Sequence, residues 1–190
     1  PWKKITKITL NTKKLVNIAI IGKYVNLKDA YKSLDEALIY GGISNKVKVN
    51  LIRIESDKLK NNEIKTKLKN VSGLLIPGGF GKRGTEGKIS AIKFARENKI
   101  PFLGICFGMQ MAIVEFARNR LKIKKAGSTE LDRKCYPVIG LINEWDKDGK
   151  IIKGTDKDLG GTMRLGLYEA KLRNNSAIKK IYKSSSIKER

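Results

Sequence analysis

Histidine is absent from these 190 residues. That excludes any scheme in which a histidine within them serves as a catalytic base or a metal ligand. Cysteine is scarce, with only Cys106 and Cys135, too few for a disulfide framework and in keeping with a reducing, cytosolic setting. No run of about 18 apolar residues exists, which excludes a membrane-spanning helix. The opening PWKKITKITL is basic but has no apolar core or cleavage site, so it is not a signal peptide. It also lacks an initiating Met, which leads us to expect a chain cut from something longer. Internal repeats and low-complexity segments are absent as well.

What is present suits one packed domain. A hydrophobic content of 41% is ordinary for a globular chain. At this length about 70% of the unfolded surface can be buried. The net charge of +23 attracts phosphates and acidic surfaces in general. Only nine of the 41 basic residues are Arg, however, and the Lys are scattered through every segment. Nucleic-acid readers favour Arg forks and interleaved aromatics. The pattern therefore reads as a solvated surface and argues against a nucleic-acid partner.

The chain alternates strands and helices. Val16–Gly22 (VNIAIIG) reads as a strand buried on both faces. Residues 1–15 before it are aperiodic and read as an arm or linker. Asp29–Tyr40 is helical, with Tyr31, Leu34 and Leu38 on one face and Gly41-Gly42 as its stop. Val47–Ile54 alternates as a strand, Asn62–Lys69 is a short polar helix, and Val71–Pro77 is a third strand. Thr85–Asn98 is an amphipathic helix with Ile89, Ile92 and Phe94–Ala95 inward. Ile100–Ile105 is a fourth strand and Phe107–Leu121 the helix after it. This predicts an α/β, doubly wound, mostly parallel sheet of flavodoxin-like type, with helices on both faces. Beyond Lys122 the regularity fades. We expect a strand over Tyr136–Trp145, a charged hairpin or loop over Asp146–Leu159, a strand within Met163–Leu172 and a helical turn over Ile178–Tyr182. A polar end opens at Ser184–Ser186.

Two strand ends are rich in glycine, and ligands bind at the carboxyl ends of strands in such sheets. The first loop, Gly79-Phe80-Gly81-Lys82-Arg83-Gly84, matches GxGxxG literally. It follows the third strand, and no Asp or Glu stands at the next strand end, so a dinucleotide site is disfavoured. Gly87-Lys88 is followed by Ile89, so there is no Walker phosphate loop either. The second loop, Gly104-Ile105-Cys106-Phe107-Gly108, has the pattern of a nucleophile elbow. Cys106 then lies at a helix N-terminus, which favours thiolate. The N–H of Phe107 is available to an oxyanion, and Gly79 supplies a second donor if its strand ends beside the elbow. Gln110, one turn on, shares the face of Cys106. The bland alternative for Cys106 is an inert buried thiol; Cys135 reads as structural.

PGGFGKRG, KFARENKIPFLGICFGMQ, GSTELD and DLGGTMRLG together resemble the C-terminal glutaminase domain of the CTP synthase family. PGGFG and GICFGMQ are shared with other class I glutamine amidotransferases. KYVNLKDAYKS, STE and DLGGTMRLG point to CTP synthase. The likeness runs from about Val16 to Arg190, and residues 1–15 resemble the linker from a synthetase domain. It implies a Cys106 nucleophile, an oxyanion hole from Gly79 and Phe107, and glutamine binding by Gly79, Phe107, Gly108, Met109, Gln110 and Glu130. Glu130 enters through the resemblance alone, as a reader of the substrate's α-ammonium. No metal or cofactor is implied in this domain. The full enzyme is expected to use ATP, magnesium and a GTP activator, to aminate UTP, and to form a cytoplasmic homo-oligomer. In the family a glutamine-binding arginine and a His-Pro-Glu motif follow the segment matching Ser184–Arg190, the His as general base and the Glu as its orienter. The lack of histidine is thus expected to reflect truncation, and the 190 residues alone are expected to be nearly inactive.

Three other readings compete. A basic nucleic-acid binder is supported only by net charge, and would show binding that collapses with modest salt and has no sequence preference. The glutaminase of another class I amidotransferase, such as GMP synthase, is separated by assaying ammonia-dependent amination of UTP. A non-catalytic binding module of the same fold should have lost the elbow glycines, and Gly104 and Gly108 are both present.

Overall fold

The computed structural model describes residues 2–25, 27, 29–142, 144–147, 150–153 and 166–189. They fall into two units, Pro1–Leu141 and Ile142–Arg190.

The first unit is built on four parallel strands, β1 (Leu15–Gly22), β2 (Lys48–Glu55), β3 (Gly73–Ile76) and β4 (Phe102–Gly104), in the order β2-β1-β3-β4. β1 and β3 are the inner pair, and their continuous apolar sequences follow from that. Ala19, Ile20 and Ile21 are fully buried, as are Leu74, Leu75 and Ile76. β2 lies at one edge, and its sequence accordingly alternates. Between the strands run α2 (Lys32–Ser44), α3 (Asn61–Lys67) and α4 (Thr85–Glu97), and α5 (Phe107–Asn119) follows β4. The step from β1 to β2 runs opposite to that from β3 to β4. With right-handed crossovers this puts α2 on one face and α3 and α4 on the other. The larger core lies on the α4 side, where Ala19, Ile21, Leu74 and Ile76 meet Ile89, Ile92, Phe107, Met111 and Val114. Arg96 of α4 holds the Glu115 carboxylate of α5 through three hydrogen bonds of 2.8–3.2 Å, and that carboxylate is buried.

Several expectations need correction. Residues 2–11 are not aperiodic: Trp2–Asn11 forms a helix, α1, in which Thr6 and Thr9 donate to carbonyls one turn back. Gly41-Gly42 does not stop α2, which runs on to Ser44. Gly42 is needed for packing instead, since a Cβ there would meet Val49 Cγ2 at 2.6 Å and the Val47 carbonyl at 2.9 Å. A short strand, β5 (Ala126–Ser128), pairs in parallel with β6 (Tyr136–Ile139) and was not anticipated. The strand expected over Tyr136–Trp145 ends at Ile139.

In the second unit, β7 (Glu144–Lys147) and β8 (Lys150–Lys153) form an antiparallel pair, so the hairpin reading holds there. β9 (Tyr168–Lys171) pairs antiparallel with β10 (Ser186–Glu189). Between them lies α6 (Ala177–Tyr182), capped by the Ser176 hydroxyl, which accepts from the Lys179 N–H at 3.1 Å. Nearly all of the DLGGTMRLG stretch, residues 158–165, and the end of the expected loop, 154–159, lie outside the described residues.

Candidate active site

The turn from β4 to α5 is tight because two backbones come closer than any side chain permits. A Cβ at Gly108 would lie 2.2 Å from the Ile76 carbonyl oxygen, and one at Gly104 would lie 2.6 Å from the carbonyl carbon of Gly108. Neither glycine has a positive φ. They are required for space, and the unusual conformation falls on the residue between them. Cys106, at φ 51° and ψ −106°, lies outside the regions open to residues with a side chain. Such a residue costs on the order of 1–3 kcal/mol and persists only where its surroundings impose it. Here they do. The Ile105 N–H donates to the Ile76 carbonyl at 2.9 Å, the Gly108 N–H to the Ile105 carbonyl at 2.9 Å, and the Gln110 N–H to the Cys106 carbonyl at 3.1 Å. Cys106 is thereby left exposed at the N-terminus of a 13-residue helix, whereas Cys135 is half-buried.

The first glycine loop stands alongside. β3 and β4 are neighbours, with Ile76 opposite Gly104. A Cβ at Gly78 would sit 3.5 Å from Cys106 Cβ. The loop is held from three directions. From the end of β1, the Lys23 ammonium donates to the carbonyls of Phe80 and, at 3.0 Å, Gly81. From the end of β2, Ser56 fills the space where Gly84, at φ 71°, has no side chain. Asp57 pairs there with Arg83 at 3.3 Å. From the loop after β5, the Glu130 carboxylate accepts the Gly81 N–H at 2.7 Å. All these groups lie just beyond the carboxyl ends of parallel strands.

Of the residues singled out in the sequence, Cys106, Gly79, Phe107, Gly108, Met109 and Gln110 lie on these two adjoining loops and the first turn of α5. Phe107 and Gly108 are buried and Met109 is exposed. Glu130 is distant in sequence, and its bond to Gly81 brings it to the first loop. Sequence reasoning missed Lys23, Asp57, Arg83 and Lys88. The first two follow strand ends, a position that could have marked them. Lys88 is 1% exposed, and its ammonium lies 4.9 Å from the centre of the Phe107 ring. Burial, with Lys23 and Arg83 nearby, lowers its pKa from the usual 10.5 to about 8, against a smaller opposing pull from Asp57. Lys23 is lowered too, chiefly by burial and then by Arg83.

A parallel α/β sheet presenting a cysteine elbow beside a glycine loop defines a class, and sequence comparison agrees with it. The glutamine amidotransferase class-I family matches residues 26–188, and the chain belongs to that family. It is 77% identical, over all 190 residues, to a CTP synthase of Pelagibacter ubique. To the CTP synthase of Zymomonas mobilis it is 52% identical over its whole length. The chain spans 35% of the length of each. Among solved structures, the glutaminase domain of Trypanosoma brucei CTPS with bound acivicin is similar at a TM-score of 0.76 and 30% identity. That match covers 92% of this chain and 65% of the other.

Proposed function

We propose that this chain is the glutaminase part of a CTP synthase. Cys106 Sγ attacks the side-chain carboxamide carbon of glutamine, and the carbonyl oxygen takes the negative charge. The N–H groups of Phe107 and Gly79 stabilise that oxyanion. Collapse expels the nitrogen as ammonia and leaves a glutamyl thioester, which water then hydrolyses. Phe107 to Gln110 and Glu130 hold the substrate. Glu130 is fixed by the Gly81 N–H with carboxylate capacity to spare for an ammonium. As these residues include no histidine, the group that takes the thiol proton and hands it to the departing nitrogen lies outside them on this reading. The ammonia passes to a synthetase part that uses ATP and magnesium to activate UTP, with GTP as activator, in a cytoplasmic homo-oligomer. Among the described residues no group of His, Cys, Asp and Glu is placed to hold a metal, and no step here runs through one.

The observation that carries this reading is the strained, exposed Cys106 at the start of α5, with the Gly78-Gly79 loop against it. Its test is alkylation by a chloroketone analogue of glutamine, with mass spectrometry to locate the adduct. Labelling of Cys106 well ahead of Cys135, and protection by glutamine, is the expected result. Equal, slow labelling of both thiols, indifferent to glutamine, would show the turn to be only structural.

A further inference from the structure

Phe107 follows Cys106 directly, and its ring is the meeting point of two lysines from separate elements. Lys88 reaches it from the second turn of α4, with its ammonium 4.9 Å from the ring centre. Lys23 reaches it from the end of β1, at 5.8 Å. Buried lysines are rare unless paired, and this one has no carboxylate bonded to it among the described residues. The charged groups around it are Lys23 at the end of β1, Arg83 in the glycine loop and Asp57 at the end of β2, with Glu130 beside Lys23. On α3, Glu63 and Lys67 pair with each other at the surface. β3 and β4 carry no ionisable side chain. The compensation left to Lys88 is the electron-rich ring face. A methionine or leucine would fill the same inward position of α4 without the cost of a buried charge.

We propose that Lys88 and Lys23 are positioning residues for the elbow: they clamp the Phe107 ring, fix the main-chain N–H that follows Cys106, and add positive charge at the N-terminus of α5 where the sulfur becomes an anion. Lys23 does this while gripping the Phe80 and Gly81 carbonyls, so one ammonium joins the glycine loop to the elbow. The two loops cannot then separate without breaking the clamp. The benefit to an oxyanion rests on the glutaminase reading, whereas the effect on the thiol does not.

The test is therefore the pH profile of Cys106 alkylation by iodoacetamide, which needs no glutamine, in the 190-residue chain. Lys88→Met should move the midpoint upward by about half a unit to one unit, which slows alkylation at pH 7 by about three- to tenfold. Lys88→Arg keeps the charge and should restore most of the rate. Lys23→Met should also move the midpoint upward. A midpoint unchanged in folded Lys88→Met overturns the proposal. If that variant does not fold, an unchanged midpoint in Lys23→Met does so. Failure of the glutamine analogue to select Cys106, with the midpoint still shifted, would instead remove the glutaminase reading and leave the clamp standing.

Discussion

Lys88 retains its proton less readily in the folded chain than in the unfolded one, because its ammonium is enclosed by α4, α5 and the glycine loop. Its pKa falls from 10.5 to about 8 on folding. Between those two values the unfolded chain binds more protons, so this group makes stability rise with pH across that window. Below about 8 both states carry the charge, and the folded one bears the cost of burying it. Lys88→Met should therefore be more stable than the parent at pH 7, by about 1–2 kcal/mol once partial solvation is allowed for. The gap should narrow toward pH 10. Urea unfolding of both proteins at the two pH values checks this, and a gap independent of pH would refute it. A variant more stable yet slower at its thiol is what a residue kept for function predicts. In the sequence this residue is hidden, since one Lys among 41 basic residues reads as surface. Cys106 is legible because two glycines around a cysteine have few other uses. The location of the strain is not. Spacing suggests that the glycines bend, whereas they make room and Cys106 takes the positive φ.

At the scale of elements, α2 shows how one pair of like residues divides between two physical roles. Gly41 is exposed, and a methyl group added there would meet nothing within 4 Å, whereas Gly42 is pressed against Val49 and the Val47 carbonyl. Gly41→Ala should stabilise the protein by about 0.5–1 kcal/mol, through reduced freedom of the unfolded chain. Gly42→Ala should destabilise it by about 1–3 kcal/mol, through overpacking. Thermal unfolding of the two single variants tests the assignment, and effects of the same sign would show it to be wrong. Gly-Gly after an amphipathic stretch is an ordinary helix stop in sequence, and only the neighbour on β2 reveals otherwise. The central elements are readable because β1 and β3 are buried on both faces and carry unbroken apolar runs. α4 and α5 likewise each bury one apolar face. α1 is not readable: its side chains are mostly exposed, and its threonines bond back to the helix itself. β5 is three residues long, too short for any period to register.

Over the whole molecule the charges are unbalanced, and the structure shows where the few carboxylates go. Asp35, Glu55, Asp57, Glu63, Glu86, Glu97 and Glu115 are each within ion-pair distance of a Lys or Arg. Eighteen acidic residues cannot neutralise 41 basic ones, so 23 basic charges are left without a carboxylate to balance them. Exposed pairs contribute little, on the order of 0–1 kcal/mol each. The Arg96–Glu115 pair, whose carboxylate is buried, is less well reached by salt. The repulsive majority is exposed and long-ranged, so screening removes more repulsion than attraction. Raising ionic strength from about 0.01 to 0.15 M shortens the screening length from roughly 30 to 8 Å. The melting temperature should rise over that interval by about 2–4 °C or more. Calorimetry in sodium chloride measures it directly. A fall would mean that the paired carboxylates govern stability and that the +23 is spaced widely enough to be harmless.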